Sequence, residues 1–260
     1  SEQQAIADFL DRKCTEIDQM VTLQEKFIEE LKAYKQSLIT ETVTKGLNPN
    51  APMKDSGVEW IGEVPEGWKI VRIKNILKDS SLQTSTGLEE QLSVTQNKGI
   101  IKSSEVQIAN PSMSQIGWKI VKKGDIVFNK YKAHSGVFFV SPHNGIVTFN
   151  YSVYHCSDAI VPKFYEYVFK TPPCISEFRK AMKGVGESIS PLYTCDLFSI
   201  NIFLPPLSQQ QEMTNYITAK NKEIDELILI KQKKIEELKE YKKSLIYEYV
   251  TGKKEVTLWH

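Results

Sequence analysis

The sequence predicts an α+β protein: one mixed α/β globular domain carried between two long helices that pair as an antiparallel coiled coil. Three observations predict it. A long opening segment is repeated near the end of the chain, both copies carry apolar residues at helical spacing, and the stretch between them changes to short strands punctuated by Gly, Asn and Pro.

The repeat comes first because it decides the architecture. Ser1 aligns with Ser208, and no gap is needed as far as Thr44 against Thr251, with nearly half of the positions identical. Glu16-Ile17-Asp18 matches Glu223-Ile224-Asp225, and Ile28-Glu29-Glu30-Leu31-Lys32 matches Ile235-Glu236-Glu237-Leu238-Lys239. Ile6, Phe9, Leu10, Ile17, Met20, Val21, Phe27, Ile28, Leu31, Tyr34 and Leu38 recur at the spacings of one helix face. Ile217, Ile224, Leu227, Ile228, Ile235, Leu238, Tyr241 and Leu245 repeat the pattern. No Pro or Gly interrupts either copy. Ser1 with Gln4 and Ser208 with Gln211 have the form of a capping box. Gly46 and Gly252 stand where a helix should end.

Some 40 helical residues reach roughly 60 Å. A helix that long cannot bury one face on a small domain along its whole length, so each copy needs the other. One leads into the middle segment and one leads out, which makes the direct pairing antiparallel. The expected seam is Ile17, Val21, Ile28, Leu31 and Leu38 against Ile224, Ile228, Ile235, Leu238 and Leu245. The heptads are imperfect, since Gln24 and Lys231 fall where seam residues belong. The expected segments are helix 1–46, linker 47–56, globular domain 57–207, helix 208–252 and tail 253–260.

Residues 47–56 are rich in Pro, Asn, Ser and charge and read as a linker. Beyond them GDIVFNKY, GVFFVSP and NGIVTFNYSVYH read as successive strands. Lys163 to Lys183 reads as helix with a break at Pro172-Pro173. Residues 53–90 are slightly acidic. Residues 93–134 carry Lys98, Lys102, Lys119, Lys122, Lys123, Lys130 and Lys132 against Glu105 and Asp125, and residues 163–183 are basic again. A basic side on one domain fits phosphate contact, although an ordinary solvated lysine face has the same composition.

Bulk properties exclude several classes. The chain has 260 residues, 25% charged and 41% hydrophobic, with a net charge of +1, so no global polycation exists. Cys14, Cys156, Cys174 and Cys195 form no CxxC pair and no zinc spacing, which fits a reducing compartment and no metal site. No apolar run is long enough for a membrane span and no signal peptide opens the sequence, so a cytoplasmic protein is expected. His134, His143, His155 and His260 lack a nucleophile motif beside them. The stretch GVGES at 184–188 lacks the lysine of a phosphate-binding loop. No amino-methyltransferase signature or nuclease-type acidic cluster is present, so no catalytic residue is expected.

The helix repeat, DSGVEWIGEVPEGWKIVRI (55–73) and IFLPPLSQQQE (202–212) together resemble the specificity subunits of type I restriction–modification enzymes. So do QLSVTQNKGII (91–101), KKGDIVFNKYKAHSGVFFVSPHNGIVTFNYSVY (122–154) and GVGESISPLYTCDLFSINI (184–202). The resemblance covers essentially the whole chain. It implies a target-recognition domain between two conserved helices, in the form of the C-terminal half, or a half-length version, of such a subunit. It further implies a non-catalytic chain that reads half of a bipartite site in double-stranded DNA and docks a methylation subunit, with a restriction/translocase subunit joining the complex. S-adenosylmethionine, ATP and Mg then belong to partner subunits, and this chain binds no cofactor. Family members usually carry two recognition domains, so a homodimer or a second recognition half is expected. The competing reading from the residues alone is a coiled-coil scaffold that never reads DNA; a free-standing methyltransferase or nuclease is disfavoured.

The expected DNA-reading residues are Asn129, Lys130, Tyr131, Lys132 and His134, then Gln96, Asn97 and Lys98, joined by Lys183, Ser188 and Ser190. Lys donates to guanine or phosphate, Asn and Gln pair bidentately with adenine, and Tyr packs on sugar or base. Strand alternation would turn at least one of Asn129 and Tyr131 into the core.

Overall fold

A computed structural model of the chain describes residues 2–96, 98–106, 114–182 and 191–255. In chain order its elements are α1 (Glu2–Lys45), β1 (Met53–Asp55), β2 (Glu63–Pro65), β3 (Lys69–Arg72), β4 (Leu77–Asp79), β5 (Leu92–Thr95), β6 (Gly99–Lys102), β7 (Lys119–Val121), β8 (Ile126–Asn129), β9 (Phe138–Val140), β10 (Gly145–Val147), β11 (Tyr151–Cys156), α2 (Pro162–Phe169), α3 (Pro172–Ala181), α4 (Thr194–Ser199), β12 (Asn201–Leu204) and α5 (Leu207–Val250). They form two compact units, residues 1–37 with 218–260 and residues 38–217.

The first unit is an antiparallel helix pair. Ile17, Val21, Ile28, Ile235 and Leu245 form its buried cluster, with Phe9, Leu10, Ile228, Leu238 and Tyr249 packed partly buried against it. Phe9 meets Tyr249 at 4.7 Å between ring centroids, Lys242 reaches Asp18 and Lys35 reaches Asp225, so ascending positions on α1 meet descending ones on α5. Ile224 is buried but outside that cluster, and Leu31 is half-buried outside it. Lys231, one of the two seam irregularities, lays its ammonium 5.0 Å from the centroid of the Phe27 ring, a cation–π contact in place of an apolar one.

Two sequence expectations need correction. Leu38 is not a seam residue: it is buried in the core of the globular unit with Val43, Met213 and Ile217. Periodicity continues through α1 without a break, but the last turns of α1 and the first of α5 bury their apolar residues in the globular core. Ser208 and Gln211 do not form a capping box either. The α5 helix already includes Leu207, and the Gln211 side chain donates to Asn215 Oδ1 at 2.9 Å. The neighbouring Gln210 is the buried one. Its amide donates to the Pro205 and Ala159 carbonyls at 2.8 and 3.1 Å and accepts from the Val161 N–H at 2.8 Å, so every hydrogen bond a buried amide needs is made. At the other helix ends Gly46 and Gly252 adopt φ of 79° and 70°, the left-handed geometry of a C-terminal cap.

The globular unit is organised by a four-stranded antiparallel sheet in the order β4-β11-β8-β9. Strands β8, β9 and β11 are buried on both faces, and period-two alternation divides their side chains between two cores. Ile126, Phe128, Phe138 and Tyr154 enter the larger core, which contains α2, α3, α4 and the β3–β12 pair. Val127, Val137, Phe139 and Val153 enter a smaller one, closed by Leu92 of β5, Ile100 of β6, Val121 of β7 and Val147 of β10. The stretch expected as one helix broken at Pro172-Pro173 forms two, α2 and α3, with Pro172 opening α3, where its missing N–H costs nothing.

Candidate nucleic-acid interface

The strand β8 stops at Asn129. A short 3-10 segment, Lys130–Ser135, follows, with Asn129 as its cap: the Asn129 Oδ1 accepts the Tyr131 N–H at 3.0 Å. Strand alternation therefore does not extend past Asn129, and Tyr131 is 52% exposed instead of core-facing. Lys130 is half-buried and Lys132 is exposed. His134 is half-buried. Its Nδ1 is buried without a hydrogen bond among the described residues, while its carbonyl accepts from Arg179 Nη2 at 3.4 Å.

Gln96 and Lys98 sit in the turn of the β5–β6 hairpin, where Thr95 pairs with Gly99. Both are exposed, and the Lys98 N–H is held by Thr95 Oγ1 at 3.1 Å. This turn and the 130–135 segment lie at opposite ends of the β8–β9 hairpin. Gln96 and Lys98 line a cleft with Val140, which pairs with Ile126, whereas the 3-10 segment leaves from the end where Phe128 pairs with Phe138. Asn97, Lys183, Ser188 and Ser190 lie outside the described residues.

The cleft brings together groups that lie far apart in the chain. It has a volume of ≈ 630 Å³, an apolar floor including Ile100 and Phe139, and a rim carrying Lys98, Lys123, Lys163 and Lys170. Glu166, with 5% of its surface exposed, organises two of them: its Oε1 lies 2.8 Å from both Lys163 Nζ and Lys170 Nζ. Its Oε2 accepts the Val140 N–H at 2.8 Å, which ties α2 to the β9 edge. Burial raises the Glu166 pKa, but the Lys170 and Lys163 charges and hydrogen bonds outweigh it, so the carboxyl is held below its ordinary range. Burial pulls the Lys170 ammonium down, against the pull of Glu166. That ammonium also stands 3.8 Å above the Phe139 ring centroid. One carboxylate faces four ammonium groups, so the rim keeps a positive excess suited to an anion.

Sequence reading found Gln96 and Lys98 but missed Lys123, Lys163 and Lys170 as members of the same site. The three come from two further chain segments, and only the i, i+3 and i, i+4 spacing of Lys163, Glu166 and Lys170 could have hinted at their coupling.

His155 Nδ1 lies 2.6 Å from Asp125 Oδ1, but the adjacent Cys156 thiol is pushed up to about 12 by burial, with the Asp125 charge adding to it, which leaves it protonated and inert. No group of three or more His, Cys, Asp or Glu side chains among the described residues could hold a metal. No helix among them is long and apolar enough to cross a membrane.

In fold the chain is similar to DNA-specificity subunits of type I restriction–modification systems. The chain is similar to a chain in a structure on complex assembly and conformational transition of the type I R-M system, at 16% identity and a TM-score of 0.67, over 95% of this chain and 58% of that one. It is also similar to the HsdS subunit from Thermoanaerobacter tengcongensis, at 17% identity and a TM-score of 0.54, over 95% of this chain and 57% of that one. In fold it resembles a half-length specificity subunit, and it spans less than three fifths of either structure. No protein-family model matches the chain.

Proposed function

We propose that this chain is the DNA-reading subunit of a type I restriction–modification complex, with one target-recognition domain that reads half of a bipartite site. The observation that carries the reading is the lysine-rimmed cleft, set in a specificity-subunit fold on a chain of net charge +1. Phosphate contacts position such a domain on the duplex and base contacts specify the sequence. The chain itself performs no chemistry: S-adenosylmethionine, ATP and Mg act in the methylation and restriction/translocase subunits, and no cofactor is held here.

The helix pair docks the methylation subunit. The charged residues of its exterior are largely engaged with each other, as in Lys32–Glu29, Lys234–Glu237 and Lys243–Glu240. The stronger signal is an exposed apolar stripe at helical spacing, Met20, Leu23, Phe27 and Tyr34, which recurs on the second copy as Leu227, Ile230 and Tyr241. Two like stripes suit two like partner surfaces. A second recognition half, from another chain or a second copy of this one, fits the repeat for the same reason. Val43 and Gln210 are fully buried in the globular unit, whereas their repeat equivalents Val250 (68% exposed) and Gln3 are exposed.

The test is co-expression with a type I methylation subunit, followed by comparison of genomic adenine methylation with and without this chain. The expected result is methylation at a two-part motif that requires the chain, together with DNA binding that weakens steeply with salt. A complex that forms but neither binds nor methylates DNA would leave the chain as a scaffold.

A further inference from the structure

Three residues with exposed aromatic side chains flank one backbone junction in the globular unit, and two of them, Phe149 and Tyr193, occupy positions where local rules favour a small polar residue. Phe149 is at the tip of the turn between β10 and β11, closed by the Tyr151 N–H on the Thr148 carbonyl at 3.1 Å; it is 65% exposed. Turn tips favour Gly, Asn, Asp, Pro or Ser. Tyr193 is the N-cap of α4, makes no capping bond, and is 54% exposed, where Ser, Thr, Asp or Asn would satisfy a free N–H. Tyr131 lies in the first turn of the 3-10 segment.

Lys130 joins the three segments. Its N–H donates to the carbonyl of Asn150, beside Phe149, at 3.5 Å, and its carbonyl accepts the N–H of Leu192, beside Tyr193, at 3.0 Å. The flanking ladders fix the same neighbourhood: Asn129 pairs with Tyr151, and Lys119 pairs with Val147. Lys119 feels the Lys130 charge, so two ammonium groups stand beside the aromatics, with Asp79 as the opposing acid near Lys119. The same domain buries Phe128, Phe138, Phe164, Phe169, Phe178 and Phe203 completely or nearly so. It therefore does not lack room for aromatic side chains, and leaving Phe149 in water has no structural return. Local rules broken without a structural gain mark functional positions.

We infer that Phe149, Tyr131 and Tyr193 form an aromatic platform that packs on the bases and deoxyriboses of bound duplex DNA, and that it, more than the lysines, sets sequence discrimination. The inference rests on the DNA-reading role proposed above and gives that role its base-contacting residues. Aromatic faces next to cationic groups match a duplex, whose apolar base and sugar surfaces are bordered by phosphates. Lys119 and Lys130 stand where the phosphates bordering those surfaces would lie.

The test uses the full chain assembled with a methylation subunit. A pool of duplexes with a randomised core yields the preferred sequence, and affinities for it and for a scrambled duplex are then compared. Phe149→Ala and Tyr193→Ala should each cut the preferred-to-scrambled ratio by about tenfold, the scale of one lost apolar contact to a base edge, leave the salt slope unchanged and leave the thermal midpoint within a few degrees. Phe149→Tyr and Tyr193→Phe should keep most of the ratio. Lys130→Ala should weaken both duplexes alike and make the slope shallower. An unchanged ratio in the Phe149→Ala, Tyr193→Ala double variant overturns the platform while leaving the DNA-reading role intact. Loss of methylation-subunit capture by that variant, with DNA binding by the chain alone unchanged, overturns it in favour of a protein contact. Failure of the unmodified assembly to select any sequence overturns both.

Discussion

Lys35 Nζ lies 2.6 Å from Asp225 Oδ1 across the helix pair, and the repeat equivalents of these two residues, Lys242 and Asp18, make the same contact at 2.6 Å. One ion pair thus occurs twice, with the roles of α1 and α5 exchanged, which is the mark of a two-fold relation between the copies. Both carboxylates are largely exposed, so the pairs act on register more than on stability. In a double-mutant cycle, Lys35→Glu should disturb the pairing and Asp225→Lys should restore it. The coupling should shrink as salt rises, measured by thermal melting at low and high ionic strength.

The seam and the globular core should respond to different substitutions. Ile28→Asp places a charge in the buried cluster of the pair, without a partner. Helicity by circular dichroism should fall and residues 1–37 should become protease-sensitive. Leu38→Ala, in contrast, should lower the stability of the globular unit by about 2–4 kcal/mol, read by tryptophan fluorescence, because Leu38 packs in the core that contains Trp68. Identical effects of the two changes on both readouts would contradict the division at Ser37 and Leu38.

Gln210 and its repeat equivalent Gln3 offer an internal control. Gln210→Ala strips the Val161 N–H and two carbonyls of their partner, and the unfolding free energy should fall by at least about 2 kcal/mol. Gln3 is exposed. Its replacement by Ala should stay within about 0.5 kcal/mol of the parent in urea unfolding.

Glu166 gives the globular unit an acid-sensitive tie. Its folded pKa lies below the ordinary carboxylate value of 4.5. The stabilisation is therefore complete above that value and is lost as pH falls through the lower folded pKa. Glu166→Gln should cost about 1–3 kcal/mol near neutral pH. The gap between the variant and the parent should close as pH drops below the ordinary carboxylate range. A gap that stays constant down to acid unfolding would rule out the ionised carboxylate as the source.

The cleft lysines should govern affinity without altering sequence preference. Replacing Lys98 and Lys123 by Ala should weaken all duplexes alike. The slope of log affinity against log salt should become shallower by up to about 0.9 for each phosphate that is no longer neutralised. Competition titrations at several salt concentrations measure both quantities.

Much of this architecture was legible in the residues. The ungapped match of Ser1–Thr44 to Ser208–Thr251 and the unbroken apolar spacing pointed to the helices and their direction. The strands in 124–155 followed from short apolar runs bounded by turn residues, and the break at Pro172 from the missing N–H. Gln96, Lys98 and Lys130 stood out by residue type. The apolar period did not reveal that Leu38 leaves the helix seam, because the same leucine satisfies a helix partner or a globular core equally well.

Neighbours along the chain thus set two matching helices, a strand-rich middle and a basic stretch, and all of these are readable from residue order. Which distant segments meet was settled by tertiary packing. The pairing of β8 with β9 and β11 sets the Gln96–Lys98 turn apart from the 130–135 segment, and brings Phe149 and Lys130 to one junction. The packing of α2 against β9 aims Lys163 and Lys170 into the cleft that Lys98 and Lys123 share. Periodicity is a local property that side-chain type imposes on the backbone. Convergence depends on strand register and on which apolar face meets which core, and those are fixed by the burial of the whole chain at once.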